Sequence, residues 1–143
     1  MQEKRPAKKD STPDSSNPSG KMILVVDDEK TILDLSANIL KRTGYGVDTA
    51  SDCEQAKTLI LNNLYDLVIA DVWMPGALSG MDLFRWIKEN KPEMEKRVIF
   101  ITGDTVDEQV RSFLEETQRP CLPKPFGVVE YLNVVQATME AAS

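Results

Sequence analysis

The chain has 143 residues, 41% hydrophobic and 28% charged, with a net charge of −6 and no histidine. That length suits one domain with a sizeable core, and the composition is that of a water-soluble globular protein. The longest unbroken apolar run, Met22 to Val26, is far too short to span a bilayer, so membrane insertion is not expected.

Residues 1–21 hold five Lys/Arg and three acids, much Ser and Pro, and almost no apolar side chains. Such a stretch cannot bury enough surface to offset its ordering entropy, which predicts a disordered tail or linker. The rest of the chain carries 12 basic and 20 acidic residues. An acidic body suits a metal or a basic partner, and direct nucleic-acid binding is not expected. From Met22 onward, short apolar runs alternate with helical patterns. MILVV (22–26) reads as a buried strand that runs straight into Asp27, Asp28 and Glu29. Ile32, Leu35, Ile39 and Leu40 share a helical face, with Gly44 at the C-cap position. VDTA (47–50) alternates, as a less buried edge strand does, and Ser51 to Glu54 reads as a capping box before Ala56, Leu59 and Ile60. DLVIA (66–70) is a third strand, and MDLFRWIKEN (81–90) a helix that ends before Pro92. VIFI (98–101) is a fourth strand. Thr105 to Glu108 repeats the capping signature ahead of Val110, Phe113 and Leu114. A short fifth strand near 120–122 precedes a last helix over 126–141. The two cysteines, Cys53 and Cys121, form no CxxC pair, so zinc or a redox dithiol is not expected. With no apolar targeting segment either, a reducing cytoplasmic location is expected.

Five alternations of strand and helix imply an α/β fold: a doubly wound five-stranded parallel sheet with helices on both faces. Ligands in such sheets sit at the carboxyl ends of the strands, where the strand order switches. The first strand ends at Asp27, Asp28 and Glu29, the third at Asp71, and the fourth at Thr102 and Gly103; Lys124 follows the fifth. Adjacent acids at a strand end repel one another, and a cation can neutralise them; Mg²⁺ prefers carboxylate oxygens and water. A carboxylate beside a metal, with an ammonium and a hydroxyl nearby, has the parts needed to receive a phosphoryl group.

The motifs VVDDE (25–29), LVIADVWMP (67–75), VIFITGD (98–104) and PKPF (123–126) occur in this order and spacing. Each is weak alone, and together they are specific. The chain resembles the receiver domain of two-component response regulators over roughly 22–141. The resemblance implies a flavodoxin-like sheet of order 2-1-3-4-5 and a phosphorylation-dependent signalling switch. It implies Asp71 as phosphoacceptor and Mg²⁺ held by Asp28, Asp71 and the backbone carbonyl of Trp73, with Asp27 supporting through water. Thr102 would bond a phosphoryl oxygen, Lys124 would pair with the phosphate, and the Lys124–Pro125 peptide would be cis. The implied donor is a sensor histidine kinase or a histidine phosphotransfer protein. The downstream partner protein is unknown, and a monomer or weak dimer is expected. The linker-like N-terminus and the RPCLPKPF ending lean toward the C-terminal receiver of a hybrid histidine kinase, with a single-domain regulator as the alternative.

The sequence departs from the usual receiver pattern in two places. MPGALSGMDL has one residue more between Pro75 and Gly80 than the commonest form. Cys121 stands at the switch position, where receivers usually carry Tyr or Phe, which puts signalling on backbone movement over 102–107. Trp73 and Asp104 flank the implied water approach to the acyl phosphate, so the chain is expected to dephosphorylate itself slowly. A haloacid-dehalogenase-type hydrolase would need Asp where Trp73 stands. A receiver-fold binding module that acts without phosphorylation is the remaining alternative.

Overall fold

The computed structural model describes residues 19–73, 79–103 and 107–142. Five strands, β1 (Met22–Val26), β2 (Gly46–Ala50), β3 (Leu67–Asp71), β4 (Val98–Thr102) and β5 (Cys121–Pro123), alternate with five helices. The helices are α1 (Lys30–Arg42), α2 (Cys53–Asn62), α3 (Gly80–Asn90), α4 (Glu108–Thr117) and α5 (Val128–Ala142). All pairings are parallel and the sheet order is β2-β1-β3-β4-β5. The strand order switches at the β1–β3 pair, where Val26 lies opposite Ala70.

β1, β3 and β4 are buried at every position, as expected of strands covered on both faces. Their side chains alternate between two cores. Leu24, Val26, Val68, Ala70 and Phe100 pack with residues of α2, α3 and α4. Ile23, Val25, Ile69 and Ile101 pack with Leu40 of α1 and with Tyr131 and Val135 of α5. Phe84, Phe100 and Phe113 stack edge-on at centroid distances of 5.3–5.8 Å, tying α3 and α4 to the sheet. Phe126 packs on Tyr131 at 4.8 Å ahead of α5.

Several local details differ from the sequence reading. In α1 Ile39 and Leu40 are buried as expected, but Leu33 turns inward where Leu35 was expected, and Leu35 is 43% exposed. Ser36 is buried too, so the face runs through Leu33, Ser36, Ile39 and Leu40 and a polar residue interrupts its pattern. The cap of α2 is Asp52, not Ser51: its side chain accepts from Gln55 N–H at 2.8 Å, and Gln55 reaches back to Ser51 N–H at 2.7 Å. Helix α4 is capped by Asp107, which accepts from Val110 N–H at 2.9 Å; Thr105 lies outside the described residues. A 3-10 segment, Pro92–Arg97, links α3 to β4. Gly44 takes the left-handed conformation (φ 100°) at the end of α1 as expected, and the Lys124–Pro125 peptide is cis. The expectation of a disordered tail concerns mainly residues 1–18, which lie outside the described residues. Ser19 N–H donates to the Gly44 carbonyl at 3.1 Å. Among the described residues no helix is long and apolar enough to cross a membrane.

Candidate functional site

The carboxyl ends of β1, β3 and β4 deliver Asp27, Asp71 and Thr102, each nearly inaccessible to solvent. Asp27 leaves β1 with its N–H still bonded to the Ala50 carbonyl (3.1 Å), so the sheet itself fixes its backbone. Its Oδ1 accepts from Glu29 N–H at 2.9 Å. Asp28, next in the chain, is exposed. Asp71 closes β3, where its Oδ1 accepts from Trp73 N–H at 3.0 Å; the Trp73 side chain is 55% exposed. Oxygens of Asp27, Asp28 and Asp71 all lie within 4.8 Å of one another. Three converging carboxylates with no nitrogen or sulfur donor suit a hard, oxygen-seeking divalent cation.

Lys124 answers these charges from the position just after β5. Its backbone N–H donates to the Thr102 carbonyl at 2.7 Å, which aligns the residue with the end of β4. Its ammonium donates to Glu29 Oε1 at 2.7 Å and to Asp71 Oδ2 at 2.9 Å. It also forms an ion pair with Asp27 Oδ2 at 3.1 Å, outside good hydrogen-bond geometry. Burial pushes the Asp27 carboxyl up to about 6; the Glu29 N–H opposes the rise, Asp71 adds to it, and Lys124 opposes it. For Lys124, burial works to lower the pKa. The hydrogen bonds to Asp71 and Glu29 prevail, and the ammonium is held above the usual lysine range. One cation thus serves three carboxylates in a largely dry setting, which leaves the cluster with excess negative charge.

Thr102 lies on the strand next to β3, one residue beyond Ile101, the register partner of Asp71. Its Oγ1 accepts from the Cys121 thiol at 3.6 Å, and Cys121 itself is exposed. The structure therefore brings together Asp27, Asp28, Asp71, Thr102 and Lys124 on one rim. Asp104 and residues 74–78, including the unusual Pro75 loop, lie outside the described residues.

Sequence reading missed two residues. Glu29 was grouped with the acids, but its link to Lys124, 95 positions away, had no local signature. Gly80 opens α3 against the Asp71 backbone: a Cβ there would lie 2.1 Å from the Asp71 carbonyl oxygen. Only glycine permits that approach. The adjoining Ser79–Asp82 capping box fixes the helix start in this position. A glycine at the first turn of a helix was the available clue.

Comparison with known proteins agrees with this architecture. The family model described as "Response regulator receiver domain" matches residues 23–136. Response regulator MprA of Mycobacterium sp. (strain KMS) is 34% identical over 122 residues, covering 85% of this chain and 51% of that protein. The phosphate regulon transcriptional regulatory protein PhoB of Pseudomonas aeruginosa is 30% identical over 120 residues, covering 84% and 52%. The chain spans about half the length of these curated relatives. Among solved structures, a CheY-like response regulator receiver domain protein from Methanospirillum hungatei JF-1 superposes with a TM-score of 0.77. It is 25% identical, with 85% of this chain and 95% of that one covered. A receiver domain protein from Clostridium thermocellum gives a TM-score of 0.72 at 33% identity, covering 85% and 95%. Fold, family match and relatives agree: the chain belongs to the response regulator receiver domain family.

Proposed function

We propose that this chain is a phosphorylation-dependent signalling switch in which Asp71 accepts a phosphoryl group from a phosphohistidine. The donor would be a sensor histidine kinase or a histidine phosphotransfer protein. The observation that carries this reading is the Lys124 ammonium, held between Asp71 and Glu29 at the mouth of a carboxylate cluster. An Asp71 oxygen forms the new O–P bond as the donor's P–N bond breaks. The electron pair of that bond leaves with the imidazole nitrogen, which takes up a proton. Lys124 is placed to pair with the charge on the transferred group, and Thr102 to donate its hydroxyl to a phosphoryl oxygen. Asp28, Asp71 and the Trp73 carbonyl would hold Mg²⁺, with Asp27 supporting it mainly through water. When bound, the cation neutralises the carboxylates and draws charge from the phosphoryl oxygens. If the hydroxyl of Thr102 turns toward the phosphoryl group it leaves the Cys121 thiol, and this exchange of partners begins the structural response.

The test is incubation with acetyl phosphate and Mg²⁺, followed by intact mass. One phosphoryl group is expected on the wild type, and none on Asp71→Asn or in excess chelator. Labelling that persists in Asp71→Asn would refute the assignment.

A further inference from the structure

Glu29 occupies the N-cap of α1, a position where Ser, Thr, Asp or Asn would satisfy a free helix N–H. Its side chain makes no capping bond. It reaches instead to Lys124, and at 2.7 Å this is the shortest of the ammonium's three carboxylate contacts. Its own N–H is committed to Asp27 Oδ1. Glu29 stands outside the Asp27–Asp28–Asp71 cluster that could hold a cation. Its carboxylate is 58% exposed, whereas Asp27 and Lys124 beside it are 1% and 16% exposed. It is therefore a charge at the mouth of the site that neither caps the helix nor joins the cation cluster.

We infer that Glu29 is a specificity-determining residue that screens phosphodonors: it occupies Lys124 and sets a negative charge before Asp71, which disfavours small free anionic donors. The inference rests on the reading of Asp71 as phosphoacceptor. An incoming phosphoryl group is an anion and competes with Glu29 for the Lys124 ammonium. A small acyl phosphate has only the site's own cationic groups to offset the repulsion and brings no docking contacts to overcome it. A protein donor brings docking contacts of its own and neutralising side chains, and the exposed Glu29 can turn toward water as the donor seats.

The experiment compares wild type, Glu29→Gln and Glu29→Asp with acetyl phosphate and Mg²⁺, at low and at raised salt, by timed intact mass. Removing one unit charge a few ångströms from the donor in a wet mouth corresponds to about a fivefold change. Glu29→Gln should lower the half-saturating acetyl phosphate concentration by about that factor, with little change in the maximal rate. The gain should shrink with added salt, because the group is exposed. Glu29→Asp keeps the charge and should stay near the wild type in half-saturation. A Glu29→Gln protein that labels like the wild type, or more slowly, overturns this inference while leaving Asp71 as acceptor. A wild type that is not labelled overturns both.

Discussion

Asp66 and Asp71 stand five residues apart, at opposite ends of β3, and the fold treats them in opposite ways. Ahead of the strand, Asp66 Oδ2 accepts from Met22 N–H at 2.8 Å, and its own N–H donates to the Met22 carbonyl at 2.8 Å. Its carbonyl accepts from Arg97 at 3.2 Å. Each of these polar groups has its own partner, and together they fasten β1 to β3. At the far end, Asp71 shares one ammonium with Asp27 and Glu29. Two of those three carboxylates are buried. Burial without full compensation is costly, so the carboxyl end gives up stability that the amino end gains. A chain selected only for stability would not keep Asp27 in that setting, and the contrast marks the carboxyl end as the working one.

Gly80 should be the most sensitive position at the carboxyl end. Gly80→Ala drives a Cβ into the Asp71 backbone and should cost about 3 kcal/mol, the upper range for overpacking. That is roughly a 10 °C fall in melting temperature for a domain of this size, and labelling by acetyl phosphate should fall with it. Gly103→Ala is the matched control. A Cβ there meets nothing within 4 Å among the described residues, so its melting temperature should stay close to the wild type. Equal effects of the two substitutions in thermal melts would remove Gly80 from the site.

A smaller effect sharpens the other side. Asp66→Ala leaves the part-buried Met22 N–H without its charged acceptor and should lower stability by about 2 kcal/mol. Asp66→Asn keeps an acceptor and should lose less. Neither should alter the yield of labelling at saturating donor. Urea denaturation reads the first effect and intact mass the second.

These two ends also divide what the sequence disclosed from what it did not. β1, β3 and β4 were legible because full burial makes their runs continuous and β-branched. Asp27, Asp28, Asp71, Thr102 and Lys124 were legible as neighbours on one rim because parallel topology sends every strand end to the same side. What failed was local. Leu33 and Leu35 are equally apolar, and only packing against the sheet decides which turns inward. Ser51 and Asp52 are both good caps, and the choice fell to the one whose side chain meets Gln55 N–H. Glu29 and Gly80 owe their roles to contacts made across the fold, with Lys124 and the Asp71 backbone. No periodicity within a short window encodes such a contact.

If a divalent cation binds the Asp27–Asp28–Asp71 cluster, it should relieve unfavourable charge held at the carboxyl end of the sheet. Thermal melts of wild type and Asp27→Asn, each without metal and with Mg²⁺ well above its dissociation constant, test it directly. Asp27→Asn keeps a carbonyl acceptor for Glu29 N–H but removes a buried charge, and Lys124 retains Asp71 and Glu29. The metal-free variant should melt a few degrees above the metal-free wild type. Mg²⁺ should raise the wild type strongly, by about 2.7 kcal/mol at a hundredfold excess over the dissociation constant, and the variant much less. A metal-free Asp27→Asn that melts below the wild type, or a wild type that Mg²⁺ leaves unmoved, would contradict the account.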